Sequence, residues 1–290
     1  MIVWRDGDLV PGDSAVSAAD RGFLVGDGAF ETLLVQDGVA AFIAAHLGRL
    51  NAGAARLGMT LALDGESVRT AVDRLANADG VSGLAACRIT VTRRGGARGL
   101  MPSPDAPTCI TISLAQAAPP KRELALAVSS VARFSGAPTN KFKCIGAYGQ
   151  NLLARLEAAS AGADEAIMLN EFGRIACASA ANTFLIAEKK IFTPSESEGA
   201  MPGIVRAILL EEAAALGTPV VIGPVTPELL EASTILLTNS LIGVARGCFD
   251  GGSRAGVLQV DDGGLEVQLA SAYEARLQAE FSNERRGKLR

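Results

Sequence analysis

Hydrophobic positions along the first third of the chain change period. In MIVW, AFETLLVQ and VAAFI the apolar residues are packed or alternate as in short strands, the last two separated by the turn Asp37-Gly38. Apolar residues then recur at helical spacing over 44–58 and 65–78, which predicts two helices. Two further β-like runs, LAACRITVTR and TCITISLAQ, are joined by the Gly/Arg/Pro-rich loop RGGARGLMPSPDAP, and together these elements form an α/β unit ending near Gln116. The paired prolines of AAPPKR (117–122) block helix continuation and stiffen an extended connection, so this stretch reads as a linker. Beyond it, LALAVSSVARF predicts a strand, Ala147 to Ala161 a helix closed by Gly162, and EAIML, TFLIA and KIFTP strands. GIVRAILLEEAAALG predicts a helix between Pro202-Gly203 and Gly217, TILLTNS a strand, and LASAYEARLQAEF a terminal helix. The pattern is that of an α/β (α+β) chain with domains at 1–116 and 123–290 and no internal repeat.

Composition narrows the classes of function. A chain of 290 residues that is 49% hydrophobic can bury a full core, and with 20% charged residues and a net charge of −4 it offers no basic field to a nucleic acid. Cys87, Cys109, Cys144, Cys177 and Cys248 are odd in number and scattered, which argues against a disulfide framework and a zinc site and points to a reducing cytoplasm. The N-terminus lacks a basic segment leading into an apolar one, and no apolar run approaches the ~20 residues of a membrane span, so neither export nor a membrane partner is expected. The single histidine, His46, reads as a helix-face residue, and no metal site is expected from it. Acid-base chemistry then falls to Lys, Tyr, Cys or carboxylates.

Candidate chemistry gathers in three places. Lys141 and Lys143, in PTNKFKCIGAYGQNLLARL, would share a face if extended, although lysine is ordinarily a solvated surface residue. MPGIVRAILLE is a Pro-Gly turn into a helix whose free N–H groups favour an anion, and LLTNSLIG ends a strand in Asn-Ser. With Arg49 on an N-terminal helix, these are the parts that a phosphorylated aldehyde cofactor requires.

The ordered series DRGFLVGDGAFETLLVQDG, HLGRL, TRRGGARG, the Lys143 segment, GADEAIMLNEFGRIACASAANTFL, TPSESEGAMPGIVR and LLTNSLIGV resembles the class IV, or fold-type IV, aminotransferases that use pyridoxal 5'-phosphate. The resemblance covers nearly the whole chain. It implies a small N-terminal α/β sandwich, a larger C-terminal pseudo-barrel and a homodimer. It selects Lys143 over Lys141 as the lysine that carries the cofactor and moves the substrate's α-proton, with Tyr148 five residues on as partner of the cofactor's phenolic oxygen. Arg49, the backbone N–H groups of Ile204 and Val205, and the turn at Asn239-Ser240 would hold the phosphate. Phe30, Arg93, Arg98 and Leu241 would bind substrate, the arginines of the loop, Arg94 among them, being equally well read as a solvated hairpin tip. One position departs from the family: Cys177 stands where a glutamate pairs with the pyridine nitrogen, five residues before Asn182, and a thiol is a weaker partner. The resemblance implies amino acid and 2-oxo acid substrates for a branched-chain-like or D-amino acid aminotransferase. The rival readings are a 4-amino-4-deoxychorismate lyase and a cofactor-binding protein with little catalysis.

Overall fold

The computed structural model describes residues 1–95, 99–249 and 264–288. The chain forms two compact units, and the division between them is not a single cut. Unit 1 comprises Met1–Pro119, Phe142–Ala147 and Leu277–Arg290, and unit 2 comprises Pro120–Lys141 and Tyr148–Arg276. Two segments of unit 1, Phe142–Ala147 and Leu277–Arg290, thus lie beyond the contiguous stretch 1–116. Tertiary contacts alone hold them in unit 1, and these leave no local trace in composition.

Unit 1 is built from β1 (Ile2–Arg5), β2 (Asp8–Pro11), α1 (Arg21–Val25), β3 (Gly28–Gln36), β4 (Val39–Ala40), α2 (Ile43–Arg56), α3 (Gly65–Asp79), β5 (Leu84–Arg93) and β6 (Thr108–Gln116). Its sheet has the order β2-β1-β6-β5-β3-β4 and is antiparallel throughout. The core joins Ala29, Leu33 and Val35 of β3 to Ile43, Leu47, Leu50 and Ala54 of α2, with Val68, Val72 and Leu75 of α3 beside them. VAAFI yields only the two-residue β4, because Phe42 turns left-handed (φ 54°) to begin α2. Phe42 has no capping side chain, and its N–H donates instead to Glu280 Oε1 at 3.1 Å. Asp64 caps α3 conventionally, accepting from the Ser67 N–H at 2.8 Å.

Unit 2 contains β7 (Glu123–Ser129), α4 (Tyr148–Ser160), β8 (Glu165–Leu169), β9 (Ile175–Ala178), β10 (Asn182–Ala187), β11 (Lys190–Pro194), α5 (Ile204–Ala215), β12 (Val220–Gly223), β13 (Thr234–Asn239) and β14 (Gly243–Phe249). The terminal helix α6 (Leu265–Lys288) begins in this unit and its last part belongs to unit 1. The eight-stranded sheet, in the order β12-β11-β10-β13-β14-β7-β8-β9, is mixed, with β11/β12, β14/β7 and β7/β8 parallel. β7 stops at Ser129, short of the run to Phe134, because the Ser130 N–H and the Ser129 hydroxyl both donate to the Glu157 carboxylate of α4. Among the described residues no helix is long and apolar enough to cross a membrane, and no group of His, Cys, Asp or Glu is placed to hold a metal ion.

Candidate active site

The unit boundary falls between the two lysines. Lys141 ends unit 2's stretch, where its Nζ pairs with Glu196 at 2.9 Å in a partly exposed salt bridge. Phe142–Ala147 crosses to unit 1 and is clamped there. The buried Phe142 ring lies on Gly53 of α2, where an added Cβ would meet it at 2.7 Å. Gly26 ends α1 at φ 70°, a left-handed conformation natural to glycine, and a Cβ there would meet the Gly146 Cα at 2.5 Å. Between these contacts the Phe30 N–H donates to the Lys143 carbonyl at 2.9 Å, and Ala29 bridges Cys144. Lys143 thus projects from a fixed backbone. Its Nζ lies 5.3 Å from the centroid of the Phe30 ring, and the Arg88 guanidinium lies 3.8 Å from the same centroid.

Arg49 sits in a built charge cluster. It donates from Nε to Glu31 Oε1 at 2.6 Å and from Nη2 to Glu31 Oε2 at 2.8 Å, and His46 Nδ1 lies 2.7 Å from Oε2. The local sequence explains the meeting: Glu31 is on the core-facing side of β3 with Ala29 and Leu33, and His46 and Arg49 are one turn apart on α2. Burial pushes the Glu31 carboxyl up, yet hydrogen bonds from Arg49 and His46 prevail and hold its pKa at about 2. Burial lowers the His46 pKa, Glu31 opposing it and the charges of Arg49 and Lys143 adding to it. The imidazole is therefore neutral and donates from Nδ1 to the carboxylate.

Unit 2 supplies a second group. α5 starts at the N-cap Gly203 without a capping side chain, so the N–H groups of Ile204 and Val205 have no intrahelical acceptor. Gly203 is packed tightly against Asn182, where a Cβ would lie 2.0 Å from Oδ1, and Asn182 Nδ2 donates to the Met201 carbonyl at 2.8 Å. Directly across the sheet from Asn182 is Thr238, whose buried hydroxyl has no partner. The next residue, Asn239, accepts from the N–H groups of Leu241 and Ile242 at 2.9 and 2.8 Å, shaping the turn that carries Ser240 and Leu241. Tyr148 is the half-buried first residue of α4. Cys177 is buried in β9 and pairs with Met168 of β8. Burial pushes its thiol pKa up, against a pull from Arg133 and with a push from Glu165, so the thiol is neutral.

The burial of Arg93 corrects its reading as a solvated hairpin-tip arginine. It is the buried last residue of β5, donating to Asp27 at 3.0 Å and to the Leu57 carbonyl. Asp27 also accepts from Arg21 Nε at 2.8 Å, and Arg21 holds the carbonyls of Gly99 and Leu100, so this cluster links the end of β5 to those two loop residues. Arg94 pairs with Asp6, and Arg98 lies outside the described residues. Sequence reading missed Glu31, the buried pairing of His46, Arg88 and Thr238. A usable signal existed for Glu31: a carboxylate on the inward-facing phase of AFETLLVQ needs a buried cation. For Arg88 and Thr238 the sequence carried no comparable signal.

A model of the class IV amino-transferase family matches residues 28–248, and the chain belongs to that family, whose members are pyridoxal-phosphate enzymes. It is 28% identical to the branched-chain-amino-acid aminotransferase-like protein 2 of Arabidopsis thaliana over 73% of this chain, which spans only 39% of that relative's length. It is also 28% identical to the aminodeoxychorismate lyase of Vibrio harveyi, over 79% of this chain and 85% of the lyase. The solved branched-chain aminotransferase of Thermoproteus uzoniensis, crystallised with norvaline, has the same fold, with a TM-score of 0.85 at 25% identity, covering 97% of this chain and 95% of that one.

Proposed function

We propose that the protein is a pyridoxal 5'-phosphate-dependent aminotransferase that moves an amino group between an amino acid and a 2-oxo acid. The observation that carries this reading is Lys143, a lysine with a clamped backbone whose amine lies 5.3 Å from the centroid of the Phe30 ring, which the Arg88 guanidinium also contacts. The residues fit a phosphorylated aldehyde. The uncapped start of α5, the close seat of Gly203 on Asn182 and the unpartnered Thr238 hydroxyl suit a phosphate's oxygens. Arg49, Ile204, Val205 and the Asn239-Ser240 turn are assigned to that phosphate.

When bound, the cofactor supplies the electron withdrawal that makes the α-hydrogen of an attached amino acid acidic. Lys143 would take that proton from the α-carbon and deliver it to the carbon on the other side of the transferred nitrogen, and its fixed backbone would keep the transfer short. Phe30 shields the amine from water on one side. Arg88 is assigned to the substrate carboxylate and Leu241 to its side chain. Tyr148 would donate to the phenolic oxygen, and Cys177, as a neutral thiol, would hold the ring nitrogen less firmly than a carboxylate. The protein is assigned as a cytoplasmic homodimer, a state that sedimentation equilibrium reads directly.

A lyase acting on 4-amino-4-deoxychorismate is the second reading, favoured by the similarity to the Vibrio enzyme and by the Arg/Gly-rich stretch 92–99. One experiment separates the two. Transfer that requires a 2-oxo acid acceptor supports the aminotransferase, whereas pyruvate release from aminodeoxychorismate without an acceptor supports the lyase. A bound yellow cofactor whose spectrum no amine or amino acid alters would reject both.

A further inference from the structure

Arg49 reaches any anion with part of its guanidinium already committed. Glu31 accepts from both Nε and Nη2, at 2.6 and 2.8 Å, in the side-by-side geometry that fixes the plane of an arginine. The carboxylate is itself immobile. It is 1% exposed on β3, the strand between β5 and the short β4 in the unit 1 sheet, and His46 Nδ1 holds its second oxygen at 2.7 Å. His46 is equally buried, one turn before Arg49 on the same face of α2. The three groups lie within a single unit: strand carboxylate, helix histidine, helix arginine.

We infer that Glu31 and His46 are positioning residues for the phosphate-binding arginine, His46 orienting Glu31 and Glu31 orienting the guanidinium before the anion arrives. The inference rests on the assignment of Arg49 to the cofactor phosphate and adds to it a direction of effect that simple electrostatics reverses. A carboxylate close to an anion site repels the anion, so on charge alone its removal tightens binding. If its contribution is instead to hold the guanidinium in one orientation, its removal loosens binding, because the ordering cost then falls on the binding step.

The test measures equilibrium dissociation constants of pyridoxal 5'-phosphate and of pyridoxal, which carries the same aldehyde without the phosphate, with thermal melts as a check on folding. Glu31→Gln keeps the shape and removes the charge. It is expected to weaken the phosphorylated ligand about tenfold and to leave pyridoxal within about twofold of the unsubstituted protein. His46→Leu removes the donor and should act in the same direction. His46→Asn places an amide N–H near the position of Nδ1–H and should restore binding, which a merely structural role for the ring would not produce. In an Arg49→Lys background Glu31→Gln should add nothing. If Arg49→Lys alone leaves the ratio of the two ligands' affinities unchanged, the assignment of Arg49 to the phosphate fails. If Arg49→Lys lowers that ratio but Glu31→Gln tightens or does not change phosphate binding, only the positioning role falls. Should Glu31→Gln not fold, the contrast between His46→Leu and His46→Asn decides, and equal affinities in those two variants overturn the inference.

Discussion

Two lysines separated by one residue are built into different regions. Lys141 closes a short turn of unit 2 and spends its charge on Glu196 at a partly exposed surface. Lys143 sits in a six-residue insert of unit 1, held by Phe142 on Gly53, by the Phe30–Lys143 backbone hydrogen bond and by the close approach of Gly26 to Gly146. The proposed reactive lysine thus differs from its neighbour in the packed contacts that hold its backbone within unit 1. A flexible four-carbon side chain can be aimed only if its Cα is fixed.

Four changes would break or sharpen that contrast. Lys143→Ala should lower amino transfer by about three orders of magnitude or more, as loss of the group that moves the proton does, measured by coupled keto-acid turnover. Phe142→Ala leaves a cavity against Gly53 and should cost about 3–5 kcal/mol in urea unfolding, with cofactor retention falling in parallel. Gly26→Ala forces a left-handed alanine at φ 70° against the Gly146 backbone and should cost about 2 kcal/mol by the same measurement. Lys141→Ala removes an exposed ion pair, so it should cost under about 1 kcal/mol and leave turnover unchanged.

The unit that holds Lys143 also has an acid signature, carried by Glu31. Glu31 has a folded pKa of about 2 against an ordinary 4.5, so the stability it contributes is present above about pH 4.5 and is lost as pH falls toward 2. A shift of that size corresponds to about 3 kcal/mol, and the gap between melting temperatures at pH 7 and pH 3 should shrink in Glu31→Gln.

Much of this was legible in the sequence where periodicity or family pattern is strong. The long strands AFETLLVQ, LAACRITVTR and TCITISLAQ emerge as β3, β5 and β6, and GIVRAILLEEAAALG as α5. β9 (IACA), buried on both faces, shows no alternation, and β14 (GVARGCF) carries Gly and Arg inside its pattern, so neither was visible. The five-residue α1 is too short to show a period. The return of Phe142–Ala147 to unit 1 depends on glycine contacts with residues about 90 to 120 positions earlier, information that no local window holds. The burial of Arg93 is hidden for the same reason: whether an arginine at a strand end faces solvent or an aspartate is decided by Asp27, 66 residues away.

Borohydride reduction of the cofactor-saturated protein, followed by peptide mapping, tests the central claim most directly. The account predicts a single reduced adduct on Lys143 and none on Lys141. An adduct on Lys141, or no adduct at all on a protein shown to hold its cofactor, would contradict it.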